Sequence, residues 1–133
     1  MKRLDADTVF SIFENAYTKE EDTFDPFTHP YVLMGLIING VTTFDIIAKN
    51  YKEQYPDTFN KIEDKVKFLY YDRLYGFIQK IDPTLSLHLI ECNKHDIRKV
   101  VSSLSRLIEE YERKEEYTRC YKIKLLLDKI VAF

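Results

Sequence analysis

Polar and apolar residues follow a helical rather than a strand-like period along most of this chain. From Asp7 to Tyr17 the apolar positions Val9, Ile12, Phe13, Ala16 and Tyr17 fall at i, i+3, i+4, i+7 and i+8, which paints one face of a helix. Asp5 or Asp7 stands near its positive end. The stretch TKEEDTFDPFTHP then breaks the period with charges and two prolines, predicting a surface loop with Phe24 and Phe27 as inward anchors. Pro30 suits a first helical turn, so YVLMGLIIN reads as a buried helix that ends at Asn39-Gly40. Thr42 or Thr43 is placed to cap another, with Phe44, Ile47, Ala48 and Tyr51 inward and Pro56 as its stop.

The longest predicted helix opens at Asp57 or Thr58 and holds its period through Phe59, Ile62, Val66, Leu69, Tyr70, Leu74, Phe77, Ile78 and Ile81. Over residues 58–81 its roughly 24 residues would span about 36 Å and serve as the organising axis. Asp82-Pro83 ends it. In TLSLHLIEC, Leu85, Leu87 and Leu89 alternate like a strand, but Pro83 ahead of them and the lack of a partner strand favour a short helix. Asn93, with Asp96 three residues on, is read as the cap of a helix through Ile97, Val100, Val101, Leu104, Leu107, Ile108 and Tyr111. A last helix from Tyr117 to Val131 turns Cys120, Ile123, Leu127 and Ile130 inward. No internal repeat emerges. The pattern predicts one all-α domain over residues 1–133, compact, of about five to seven helices, with a long central helix and a C-terminal antiparallel hairpin at about 94–131.

The hairpin junction, RKEEY, holds neither Gly nor Pro, so the chain must unwind briefly there, and the rings of Tyr111 and Tyr117 are expected to close its end. The order of features is an acidic helix end, Glu-Tyr, the small Cys120 and then an aliphatic ladder. It is similar to the UVR motif of bacterial excision repair proteins and to tetratricopeptide-type hairpins. Lys124 and Leu125 stand where the UVR pattern has an Arg-Asp pair, and the tandem copies of tetratricopeptides are absent. What the resemblance implies is protein binding through the hairpin rather than catalysis.

Composition narrows the picture further. Hydrophobic residues at 45% and charged residues at 32% belong to a folded globular chain, and 3 Gly with 4 Pro leave little material for many tight turns. At this length folding buries roughly 65 to 70% of the unfolded surface, enough for one core. A net charge of -2 provides no global field for a polyanion. No apolar run approaches the length of a membrane span and the start MKRLDADTVF carries acids, so a cytoplasmic protein that does not engage a membrane is expected, in a host cytoplasm if the protein is viral. Cys92 and Cys120 are then expected as reduced thiols.

Candidate chemistry is sparse. His88, Cys92 and His95 lie at i, i+4 and i+7, a zinc-ligand spacing on an unbroken helix, with Cys120, His29 or water as the fourth ligand. Asn93 interrupts that helix, so the expectation is a small buried Cys92 with two rim histidines, no metal and no cofactor. The glycines Gly35, Gly40 and Gly76 are too scattered for a phosphate loop, and no serine sits in a nucleophile elbow. Cys92 near His95 could pair as a thiolate, yet nothing in the sequence supplies an oxyanion hole. The expectation is that the protein is not an enzyme.

Phe and Tyr together make up 14% of the chain, a surplus for a domain with limited interior, and aromatics left outside are favoured anchors at protein interfaces. The function expected is therefore a protein–protein interaction module: an adaptor, an inhibitor or a small structural subunit of a larger assembly. The composition would suit a phage or mobile-element accessory protein. Its expected contact rim is Arg113, Lys114, Glu115 and Arg119. The alternative is an accessory nucleic-acid binder using Arg119, Lys122, Lys124, Lys129 and nearby tyrosines, which can stack single-stranded bases.

Overall fold

The computed structural model describes residues 25–133, so the helix expected at residues 7–17 and the anchor Phe24 lie outside the described residues. A single 3-10 turn, Pro26–Thr28, leads into five helices: α1 (Pro30–Gln54), α2 (Pro56–Ile78), α3 (Ser86–Cys92), α4 (Ile97–Arg113) and α5 (Tyr117–Ala132). No strand occurs among the described residues, and the 84–92 segment forms the short helix Ser86–Cys92 in place of a strand.

The stop expected at Asn39-Gly40 does not occur: α1 runs unbroken to Gln54. At Gly40 α1 lies close against α2, since a methyl group added there would run into the Leu74 side chain. Helix contact at that point offsets the low helix propensity of Asn-Gly. Thr42 caps nothing; its hydroxyl donates back to the Ile38 carbonyl one turn earlier, at 3.2 Å. The real boundary is Pro56, which disfavours helical geometry at Tyr55 and takes the first position of α2.

With one residue between them, α1 and α2 fold back antiparallel. Phe44 meets Tyr70 and Tyr71, Tyr51 meets Phe59, and Lys52 pairs with Glu63 at 2.6 Å. A long central helix is present, but it is α1 rather than residues 58–81. At 25 residues against 23 it is the longer, and it packs against α2, α3 and α4. By length and composition alone α1 is also apolar enough to cross a membrane, although half of its most apolar stretch is buried inside the protein.

α2 ends at Ile78, one turn earlier than expected. The Asp82 carboxylate accepts from the Thr84 backbone N–H and hydroxyl and turns the chain before Pro83. Tyr71 and Tyr75, outside the anticipated face, are buried, whereas Leu69 is 48% exposed. The extra burial follows from Tyr71 meeting Phe44 of α1 and Tyr75 meeting Tyr111 of α4, so α2 is covered on more than one side.

Asn93 closes α3 rather than opening α4. Its amide donates to the Leu89 and Ile130 carbonyls, tying the end of α3 to the end of α5. Asp96 is the true cap of α4, accepting from the Arg98 N–H at 3.0 Å. α4 and α5 form the expected antiparallel hairpin, with Leu104, Leu107, Ile123 and Ile130 at zero exposure, but Leu126 rather than the expected Leu127 takes the inner position on α5, and Ile97 and Val101 of α4 are 41 and 37% exposed. The end of the hairpin is closed by Tyr111; Tyr117 is 64% exposed.

Candidate functional site

The hairpin end is built from three charged junctions with α2. Asp64 accepts from both Arg113 and Lys114. Glu110, its side chain almost wholly buried, is held by Arg113 at 2.5 Å and Lys67 at 3.3 Å. Arg119 donates to Asp72 at 2.5 Å and to the Tyr111 hydroxyl at 3.2 Å. Its guanidinium lies over the rings of Tyr75 and Tyr111, at 4.7 and 5.2 Å. Of the expected rim, then, Arg113, Lys114 and Arg119 come together as a clasp between the hairpin tip and α2, while Glu115 points to solvent.

The Lys114 ammonium and then the Arg113 guanidinium hold the Asp64 carboxyl below its ordinary 3.8. Burial pushes the Tyr111 hydroxyl up to about 12 although Arg119 pulls the other way.

His88, Cys92 and His95 are not brought together. The His88 Nδ1 accepts from the Asp82 N–H at 2.9 Å. His95 turns to α1, where its Nε2 meets the Tyr31 carbonyl at 2.7 Å and its ring stacks on Tyr31 at 4.2 Å. Cys92 is fully buried, which pushes its thiol up to about 12, so a neutral solution holds it as an unreactive thiol. Among the described residues no group of His, Cys, Asp or Glu has the arrangement to hold a metal ion.

The nucleic-acid candidates divide by what they touch. Arg119 belongs to the clasp, and Lys124 pairs with Glu112 at 3.1 Å. Lys122 and Lys129 are exposed and form no ion pair among the described residues. A groove between α1, α2 and α4 also carries cations, most of them matched internally: Arg106 grips Asp45 through two bonds of 2.6 Å, Lys52 pairs with Glu63 and Lys67 with Glu110, while Lys49 forms no ion pair among the described residues.

The outer face of α5 carries apolar residues as well. Tyr117, Tyr121 and Leu125 fall at i, i+4 and i+8 on that face, exposed by 64, 68 and 36%. Beside them, between the end of α2, the connector after it and α5, lies a cavity of about 290 Å³ lined in part by Tyr75, Ile78, Ile81 and Leu126. Aromatic excess pointed to such a surface in general; its place required knowing which side of α5 the core takes.

Compared with known proteins, the chain matches no family model, no curated protein and no solved structure.

Proposed function

We propose that this chain is a non-enzymatic protein-interaction module, acting as an adaptor, an inhibitor or a small structural subunit that presents one side of its C-terminal hairpin to another protein. The observation that carries this reading is the Tyr117, Tyr121, Leu125 stripe. Two tyrosines about two-thirds exposed on a rigid helix give large contact area at low entropic cost, the usual make-up of an interface anchor. Below the stripe α5 is fixed by Ile123, Leu126 and Ile130, so the face is held in place before a partner arrives. The expected rim of Arg113, Lys114, Glu115 and Arg119 borders this face at the hairpin tip, with Glu115 the charge left over for a partner.

The same tyrosines beside Lys122 support nucleic-acid stacking as the second reading. One affinity capture from a lysate of the native source, run with the wild-type chain and with Tyr117→Ser/Tyr121→Ser, separates the two. The expected result is a protein retained by the wild type, lost from the variant and indifferent to nuclease, while both chains melt at the same temperature. Recovery that disappears with nuclease would assign the face to nucleic acid, and identical recovery on both chains would remove the stripe as the docking surface.

A further inference from the structure

Resting on the reading of the hairpin as a docking surface, we propose that the cavity between α2 and α5 receives a bulky apolar side chain from an acidic segment of the partner protein. The carboxylates of that segment pair with Lys122 and Lys129. Tyr75, Ile78, Ile81 and Leu126 are each no more than 4% exposed, yet together they wall an open space of about 290 Å³. That volume lies just under the usual range for ligand pockets, roughly 300 to 1,000 Å³, and is ample for one Leu or Phe side chain. The floor is apolar; the rim carries Gln79, Pro83, Leu125 and Lys122.

Charge decides the chemistry of the occupant. The other two cations of the first half of α5 are satisfied within the chain, Arg119 by Asp72 and Lys124 by Glu112. Lys122, on the cavity rim, and Lys129, one turn past Leu125, form no ion pair among the described residues, and with Leu125 they lie at i, i+3 and i+7 along one edge of the helix. The acid of the connector, Asp82, turns Oδ1 to the Thr84 N–H and hydroxyl, and no ion pair joins it to Lys122 or Lys129 among the described residues. Lys122, the charged residue of the cavity lining, thus sets a cation that no described acid pairs with at the mouth, over a floor of apolar side chains, in a chain whose net charge is -2. An apolar anchor flanked by Asp or Glu complements both features at once, and complementary charge raises the encounter rate and sets the register.

A random peptide library selected on the full chain tests this, with the enriched peptides then measured by fluorescence anisotropy. Enriched sequences are expected to hold one large apolar residue with at least two acids within a turn of it. Lys122→Glu/Lys129→Glu should weaken their binding by about tenfold or more, the effect of reversing close charge pairs. Tyr117→Ser/Tyr121→Ser should change it by no more than about twofold, a few tenths of a kcal/mol. All three chains should melt alike. No enrichment, enrichment without acids, or binding indifferent to the lysine reversal would overturn the proposal. Peptides that depend on Tyr117 and Tyr121 but not on the lysines would overturn the cavity while leaving the hairpin as a docking surface. Peptides indifferent to both variants would remove both. Oligodeoxythymidine bound through Lys122 and Lys129 in place of any peptide would transfer the site to nucleic acid.

Discussion

Glu115 holds the least comfortable backbone among the described residues: its φ of 59° is left-handed, where a side chain crowds the following carbonyl. It sits just past the cap of α4. The Glu116 N–H reaches back to the Tyr111 carbonyl at 2.8 Å and the Glu115 N–H to that of Glu112 at 3.0 Å, the paired bonds of a Schellman termination. This is the brief unwinding that RKEEY required in the absence of Gly. Glycine adopts the left-handed region without cost, so Glu115→Gly should stabilise the fold by about 0.5 to 1 kcal/mol after its looser unfolded chain is counted. Thermal melting should rise by roughly 2 to 4 °C. A fall instead would mean that the Glu115 carboxylate contributes more than its backbone strain removes.

At the scale of elements, the hairpin is one unit and the α1–α2 pair another, and their charged contact is the clasp at Asp64, Glu110 and Asp72. Exposed ion pairs contribute little singly, but Asp64 is shared by two cations and its titration can be followed. Its carboxyl is held below 3.8 in the folded chain, first by Lys114 and then by Arg113. A depressed folded value adds stability above the ordinary one, and that share is lost as pH falls through the folded value. Wild-type melting temperature should therefore drop more steeply between about pH 5 and pH 2 than that of Asp64→Asn, which starts lower at neutral pH. Parallel acid profiles for the two chains would show that the clasp does not couple the two units.

For the molecule as a whole, the largely aliphatic core is unusual in enclosing several tyrosines: Tyr70, Tyr71 and Tyr111 are each no more than 1% exposed. Burial pushes all three from the ordinary 10.0 up to about 12. A raised folded value means their contribution is complete below 10 and is lost as pH climbs toward 12, because the unfolded chain releases those protons first. Tyrosinate absorbance should show the last tyrosines ionising together with the loss of helical circular dichroism in that window. Complete ionisation of all 10 tyrosines with the helices intact would contradict the packing of α2 between α1 and the hairpin.

Helical period, Pro56 and the paired runs of the C-terminal segment were enough to determine the class of the fold, the α1–α2 boundary and the hairpin, whereas the alternating leucines of residues 84–92 left helix and strand both open there. Each of the three rests on contacts between residues three or four apart, or on proline sterics, which the order of residues carries directly. Tertiary structure alone decided what local pattern left degenerate. Asn39-Gly40 is a stop signal in isolation, but Gly40 lets α1 approach Leu74, so α1 continues and becomes the hub. Tyr71 and Tyr75 are core because α2 has neighbours on more than one side, and of the two rings expected at the hairpin end Tyr111 is buried against Phe68 and Tyr75 while Tyr117 stays outside. The charges of the clasp and the unpaired Lys122 and Lys129 are indistinguishable in sequence. What separates them is an acid 47 to 50 positions away, brought near by packing for the clasp, whereas among the described residues no acid pairs with Lys122 or Lys129.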